Sequence, residues 1–186
     1  MDVQTIGPND SSVGFATFNG AFHRFVGVNM ALYTVTDWLG LVPVAFGFSF
    51  ALLGLVQLLK RKSLMAVDRD IIVLGVFYIA VAAVYLLFEC FVINYRPVLI
   101  DGVLEASYPS STTLLITAVM PSAALRLRRM IRSLVARRCV LWGITAFTLF
   151  TVVGRVLSGV HWITDIIGGL LLSGALVLFY AFATEE

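Results

Sequence analysis

Two residues near the end of the chain have the types and the spacing of an oriented histidine. His161 and Asp165 are four positions apart, and on a helix this spacing places both side chains on one face, within reach of each other. A carboxylate that binds one imidazole nitrogen fixes the tautomer of the ring and leaves the other nitrogen available to attack or to take up a proton. Such a pair alone is also common as a structural contact, so its meaning depends on its neighbours.

Two arginines and a helix start supply groups that bind anions. The guanidinium groups of Arg96 and Arg155 are forked cations that suit the bidentate capture of phosphate oxygens. Four consecutive residues are typical of a first helical turn, whose unpaired N–H groups form an anion site: Pro109, Ser110, Ser111 and Thr112. Serine and threonine there can also be simple caps. Taken together with His161, these groups predict a phosphate site that contains a nucleophile.

The amino-acid composition indicates which kind of secondary structure positions these residues. Apolar residues make up 60% of the 186 positions, charged residues make up 13%, and the mean hydropathy is +0.96. Water-soluble enzymes, disordered chains and fibrous repeats are excluded, because a soluble fold would leave much of this apolar surface wet. The chain is predicted to be an all-α, polytopic membrane helix bundle.

Five apolar runs approach the length that crosses a bilayer, about 20 residues. They cover residues 39–59, 71–93, 110–125, 140–158 and 163–183. The run 110–125 is short and contains Pro121, and it counts as a span because its neighbours must be connected across the membrane. We therefore expect five to six transmembrane helices, with residues 1–186 forming one integral-membrane domain and residues 39–183 its helix bundle.

The basic residues orient the bundle. Ten of the 13 fall between the first two spans or between the third and fourth: Lys60, Arg61, Lys62, Arg69, Arg126, Arg128, Arg129, Arg132, Arg137 and Arg138. Basic loops stay in the cytoplasm, so the phosphate site is predicted on the extracytoplasmic face of a cell membrane. The arginine-rich loop is explained by orientation and by contact with anionic lipid of the bilayer, and no nucleic-acid partner is expected.

Residues 13–36 are predicted to be amphipathic. Phe15, Phe18, Phe22 and Phe25 recur at steps of three and four, which forms an apolar stripe on a helix that lies in the membrane interface. A re-entrant or spanning element stays open as an alternative for this segment.

The order of the chemical residues resembles a known family. Type 2 phosphatidic acid phosphatases, which are integral-membrane lipid phosphate phosphatases, carry the pattern K-x6-R-P, then P-S-G-H, then S-R-x5-H-x3-D. The third part is matched by Arg155, His161 and Asp165 in their spacing. The first two parts are matched incompletely, by Arg96 with Pro97 and by the segment that begins at Pro109.

The resemblance implies a role for each matching residue. His161 corresponds to a nucleophile that forms a phosphohistidine, and Asp165 corresponds to its orienting carboxylate. Arg155, Arg96 and Ser110 correspond to groups that hold phosphate oxygens. The family implies no metal and no other cofactor.

Four positions depart from the pattern. Glu89 stands where the family has lysine, Ser111 replaces the glycine, and Gly154 replaces the serine before Arg155. Thr112 stands where the family has a second histidine, which protonates the leaving oxygen and helps to activate water; a threonine hydroxyl does not titrate near neutrality. Seven residues before Arg96, Glu89 is expected either to pair with that arginine on a helix face or to act as the proton carrier.

The expected function is the dephosphorylation of a membrane lipid phosphate or diphosphate in a bacterial membrane, through phosphorylated His161. The expected substrates resemble undecaprenyl diphosphate or phosphatidic acid. The alternative is a catalytically impaired relative that binds, transports or regulates lipid phosphates, and the substitutions at Thr112 and Glu89 are its evidence. A packing subunit whose charges only pair with one another is a third, weaker alternative.

Overall fold

The protein, described for residues 2–184 by a computed structural model, is a bundle of helices preceded by a small hairpin. The hairpin pairs β1 (Val3–Gln4) antiparallel with β2 (Val13–Gly14). The helices that follow are α1 (Ala16–Val26), α2 (Met30–Leu39), α3 (Leu41–Arg61), α4 (Arg69–Cys90), α5 (Ser111–Met130), α6 (Leu134–Ser158) and α7 (Ile163–Thr184). The prediction of an all-α membrane helix bundle is confirmed.

Among residues 2–184, four helical stretches are long and apolar enough to cross a membrane. They are Met30–Arg61, which joins α2 to α3, and the helices Arg69–Cys90, Leu134–Ser158 and Ile163–Thr184. Most of their residues face outward and are apolar, as lipid-facing positions must be, since the bilayer interior offers no partner for polar groups.

Helix α5 lies at the centre of the bundle, although it is more polar than these four. It packs against α7, α6, α3 and α4, and its middle turns are buried, with Ile116 and Ala118 fully enclosed. Its polar residues are tolerated because neighbouring helices surround them. At 20 residues it extends for about 30 Å, the thickness of the hydrocarbon layer.

The segment 13–36 is not one element. Helix α1 ends at Gly27, whose φ of +69° stops the helix, and α2 continues into the first span. With 11 residues, α1 is about 16 Å long and too short to span a bilayer. Phe15, Phe18 and Phe25 are exposed along it, as a helix in the membrane interface requires.

The bundle separates its polar groups between two ends. At one end, which we call the basic end, Arg126 binds Asp70 at 2.7 Å and Arg129 reaches the backbone oxygen of Thr184 at 2.6 Å. At the other end, the site end, the Ser110 backbone N–H donates to the Asp165 backbone oxygen at 3.0 Å. The start of α5 and the start of α7 are therefore in contact.

Glycines in α7 allow that close contact. A Cβ on Gly169 would lie 3.3 Å from the Leu114 backbone nitrogen and the Ser110 backbone oxygen, and a Cβ on Gly168 would collide with the ring of Tyr108. Small residues at a membrane helix interface let two backbones approach in this way. The approach brings the segment 107–113 against the residues that open α7.

Candidate active site

His161 lies in the loop between α6 and α7 and is linked to Asp165 through a third residue. The imidazole is 5% exposed, and its Nδ1 is 3.0 Å from the hydroxyl oxygen of Ser107. The same hydroxyl donates to Oδ2 of Asp165 at 2.5 Å. The predicted pairing of His161 with Asp165 on one helix face is therefore corrected, because α7 begins at Ile163 and His161 precedes it.

Asp165 is held by several donors. Its side chain is fully buried in the first turn of α7. The backbone N–H of Trp162 donates to Oδ2 at 3.0 Å, and the side-chain amide of Asn94 donates to Oδ1 at 3.4 Å. Because these donors come from three parts of the chain, the carboxylate has one fixed position.

The other ring nitrogen of His161, Nε2, is buried. Within residues 2–184, no hydrogen-bond partner contacts its buried Nε2. Burial, followed by the positive charges of Arg96 and Arg155, holds the pKa of His161 well below its ordinary value. The ring is therefore neutral at pH 7, so one of its two nitrogens carries a lone pair.

We expect His161 to stay neutral when the pH falls through the ordinary histidine pKa of about 6.5. Below that pH the unfolded chain binds a proton at this site and the folded chain does not, so the free energy of unfolding decreases as the pH falls. A ¹⁵N NMR titration tests this, because the chain has 2 histidines and His23→Asn assigns the signals. Titration of His161 at or above about 6.5 would contradict the described environment.

Arg155 is buried in the last turn of α6 and points at the start of α5. One of its nitrogens, Nη2, donates to the Thr112 hydroxyl at 2.9 Å and to Oδ1 of Asp37 at 3.3 Å. Its guanidinium also lies over the ring of Tyr33, 4.9 Å from the centroid. Contacts on this many sides fix the cation before any ligand arrives.

The substitution of Gly154 for the family serine has a structural reason. A Cβ at position 154 would lie 2.6 Å from the Thr36 methyl group, which is too close for any side chain. Glycine therefore lets α2 pack tightly against α6. That packing brings Asp37 and Tyr33 onto Arg155.

Arg96 pairs with Glu105 and not with Glu89. Its Nε is 3.1 Å from Oε2 of Glu105, and the backbone N–H of Arg96 donates to the Glu105 carbonyl at 3.1 Å. The expected pairing of Glu89 with Arg96 is not observed in the described chain, because α4 ends at Cys90 and Arg96 leaves the helix face. Like Arg155, Arg96 lies over the Tyr33 ring, at 5.7 Å.

The predicted helix start is confirmed at Ser110, the residue that precedes α5. Ser110 is fully buried, and its hydroxyl accepts a hydrogen bond from Thr113 at 3.0 Å. The backbone bond from Leu114 to Ser110 closes the first turn, so the N–H groups of Ser111 and Thr112 point out of the helix end. Such groups bind anions.

A polar cavity of about 520 Å³ opens beside these groups. Residues from three stretches of the chain, 33–37, 85–96 and 104–114, line it, among them Asp37, Glu89, Arg96, Glu105, Ser107 and Ser111. Glu89 is thus part of the wall of this cavity, which touches the site at Arg96, Ser107 and Ser111 and is not lined by His161 or Arg155. The volume is in the range of pockets that hold small ligands, which is ample for a phosphate group.

The N-terminal segment closes the site end from the side. The chain at Gly27 approaches Gly159 so closely that a Cβ on Gly159 would collide with the Gly27 carbonyl. His23 contacts the Gly159 carbonyl at 3.1 Å through Nε2, and its ring lies 5.4 Å from that of Trp162. The loop that carries His161 is therefore held on both flanks.

Sequence reasoning missed four residues around this site: Ser107, Asn94, Asp37 and Tyr33. Ser107 is two positions before the segment that begins at Pro109, so its proximity to that segment was a usable signal. Asp37 and Tyr33 belong to α2, more than 110 positions from Arg155 along the chain. Nothing in their local spacing indicated this contact.

Comparisons with known proteins give a family and a similar fold. Residues 87–185 match the PAP2 superfamily. A solved structure from Bacillus subtilis, described as the first transmembrane PAP2 type phosphatidylglycerolphosphate phosphatase, is similar in fold, with a TM-score of 0.54 and 17% sequence identity over 89% of this chain and 91% of that chain. No curated protein matches the sequence significantly.

Proposed function

The chain belongs to the PAP2 superfamily, and on that premise we propose that it dephosphorylates a membrane lipid phosphate or diphosphate. We propose further that residues 1–186 form one integral-membrane lipid phosphatase-like domain. One observation is the main support for the proposed activity. Buried nitrogens on His161, Arg96 and Arg155 have no hydrogen-bond partner in the part of the chain that the structure describes.

Unpaired buried nitrogens are costly, at about 1–3 kcal/mol each; the oxygens of a phosphate would accept hydrogen bonds from those of the two arginines, and its phosphorus would be the electrophile for His161. Nη1 of Arg96 and Nε of Arg155 are donors, and Nε2 of His161 is a nucleophile. The N–H groups at the start of α5 add further donors for an anion. We propose that a phosphoryl group bound between the arginines and the helix start lies within reach of the imidazole, as an attack on phosphorus requires.

The proposed reaction has two displacements. Nε2 of His161 attacks phosphorus, forming an N–P bond while the bond from phosphorus to the leaving oxygen breaks. Water then attacks the same phosphorus, the N–P bond breaks and returns the lone pair to His161, and inorganic phosphate is released. One proton of the water stays on the phosphate and the other passes through solvent to the oxygen that left in the first step. In both steps Arg96, Arg155 and the start of α5 stabilise the charge on the phosphoryl oxygens.

The substrate class follows from where the site lies. The cavity opens at the end of a bundle whose sides are apolar, so the ligand is expected to keep its tail in the bilayer and to present its phosphate at the surface. We propose undecaprenyl diphosphate-like or phosphatidic acid-like lipids. Phosphate release by purified protein in nanodiscs, from a panel of matched lipid monophosphates and diphosphates, tests this; release from none of them contradicts it.

The second candidate is a relative that binds, transports or regulates lipid phosphates without hydrolysing them. Thr112 favours it, since this residue replaces a proton carrier and its hydroxyl instead accepts a hydrogen bond from Arg155. Saturable binding of a lipid phosphate with no phosphate release would identify this function. Activity that depends on His161 excludes it.

Thr112 also predicts a substrate preference. A diphosphate carries a good leaving group and needs a proton less than an alkoxide does, so wild type should favour diphosphates. Thr112→His should raise monophosphate hydrolysis, by up to about 10²-fold, because a positioned acid or base contributes on that order. The measurement is phosphate release from matched monophosphate and diphosphate lipids.

Thr112→Val is the matched control for that test. It removes the hydrogen bond from Arg155 without adding an imidazole, so the difference between the two variants isolates the proton carrier. If wild type shows no diphosphate preference and Thr112→His gains nothing over Thr112→Val, position 112 does not limit the reaction. Glu89, which lines the cavity, would then be the next residue to test as proton carrier.

We propose that the site end faces outward from a bacterial plasma membrane. On a background with Cys90 and Cys139 replaced, since both thiols are exposed, Asp101→Cys at the site end should react with an impermeant maleimide in intact cells. Arg132→Cys at the basic end should react only after permeabilisation, since basic loops remain cytoplasmic. The reverse labelling pattern would invert the proposed topology.

A further inference from the structure

We propose that Ser107 is a positioning residue through which Asp165 orients His161 for attack. The inference rests on the proposed function, because it assigns a role within the same reaction. The geometry that carries it is a chain of two hydrogen bonds. His161 Nδ1 is 3.0 Å from the Ser107 hydroxyl, and that hydroxyl is 2.5 Å from Oδ2 of Asp165.

The direction of these bonds selects one tautomer of the imidazole. A serine hydroxyl has one proton to donate and two lone pairs that accept. Because the Ser107 proton is directed to the Asp165 carboxylate, the hydroxyl can only accept from His161. The proton of the neutral ring is therefore on Nδ1, and Nε2 is left with the lone pair that the reaction needs.

The environment holds Ser107 in this position. Its side chain is 2% exposed, and its backbone N–H donates to the Asn94 carbonyl at 2.9 Å. Asn94 in turn donates to the other oxygen of Asp165. On the other flank, Tyr108 packs against Gly168 of α7. The hydroxyl therefore has little freedom to turn away from the histidine and the carboxylate.

A purely structural serine would affect stability alone, whereas a positioning serine also affects the tautomer and the rate constant. In wild type, ¹⁵N NMR of labelled histidine should show His161 with its proton on Nδ1 only. In Ser107→Ala, the share of the Nδ1–H tautomer should fall, since the hydroxyl bond is gone and the contact with the Ser107 backbone alone holds that side of the ring. Ser122→Ala is the control, because it removes a fully buried hydroxyl from α5 away from the site.

Kinetics provides the second test. Ser107→Ala should lower kcat on the order of 10²-fold with KM nearly unchanged, because the change affects the nucleophile and not the phosphate-binding groups. Ser107→Thr, which keeps a hydroxyl, should recover part of the loss. Asp165→Asn should also lower kcat, and the double variant should be no slower than the slower single variant, because both break one chain of bonds.

Each outcome is decisive. A single tautomer together with full kcat in Ser107→Ala overturns the proposal, and so do losses that multiply in the double variant. If wild type releases no phosphate, the proposed function is contradicted, but the NMR comparison still decides whether Ser107 sets the tautomer. The two failures are therefore distinguishable.

Discussion

His161→Ala should abolish phosphate release from every lipid that wild type hydrolyses. The variant removes Nε2, one of the buried nitrogens without a partner among the described residues of the site end, and with it the proposed nucleophile. We expect a loss in kcat of more than about 10⁴-fold, which is the scale on which nucleophile removal acts in enzymes with covalent intermediates.

The matched control is His161→Asn, which keeps a polar side chain in the buried loop but cannot form the phosphohistidine. Both variants should retain lipid phosphate binding, because Arg96, Arg155 and the start of α5 are unchanged. EDTA should leave the wild-type rate unaffected, as the family resemblance implies. Activity that persists in His161→Ala, or that disappears in EDTA, would contradict the histidine mechanism.

Arg155→Ala should reduce kcat/KM by about 10²–10³-fold, or about 3–4 kcal/mol of transition-state stabilisation, as expected for a preorganised charge in a water-excluded site. The guanidinium is 1% exposed and is held by Thr112, Asp37 and the ring of Tyr33. Lysine has no planar fork, so Arg155→Lys should recover only part of the loss.

Arg132→Ala is the control for that experiment, because it removes an exposed arginine at the basic end. The unfolding midpoint of Arg155→Ala must also be measured, since the change leaves a buried space and frees Asp37, whose side chain is about half exposed. If a folded Arg155→Ala protein hydrolyses lipid phosphates as fast as Arg132→Ala does, Arg155 does not bind the reacting phosphoryl group.

Much of the fold could be predicted because the membrane imposes a strong rule on sequence. Long apolar runs with basic residues between them identify spanning helices, and α3, α4, α6 and α7 follow these runs closely. Helix α5 could not be identified from its hydropathy, because the polar residues at its two ends lower the mean hydropathy of the helix. The need to connect its neighbours across the bilayer identified it.

The limits of the sequence appear where contacts depend on helix ends. Glu89 and Arg96 share a helix face only if the helix continues past Cys90, and α4 ends there. His161 and Asp165 pair directly only if α7 begins before His161, and it begins at Ile163. Helix boundaries depend on packing and caps, which local spacing does not determine.

The rest of the site comes from distant segments. Asp37 meets Arg155 because Gly154 lets α2 pack closely on α6. Ser107 reaches His161 because the segment before α5 is folded against α7. Both contacts join residues more than 50 positions apart, and a single sequence contains no pairwise signal for them.

The central claim is that a phosphoryl group is transferred to His161, and trapping that intermediate tests it most directly. Because Thr112 provides no base for the attack of water, phosphorylated His161 should accumulate when the protein turns over a lipid diphosphate. Rapid quenching in alkali, followed by peptide mass spectrometry, should find a phosphoryl group on His161 that acid removes, and none in His161→Asn. Steady phosphate release by wild type without this adduct, or with the phosphoryl group on another residue, would contradict the account.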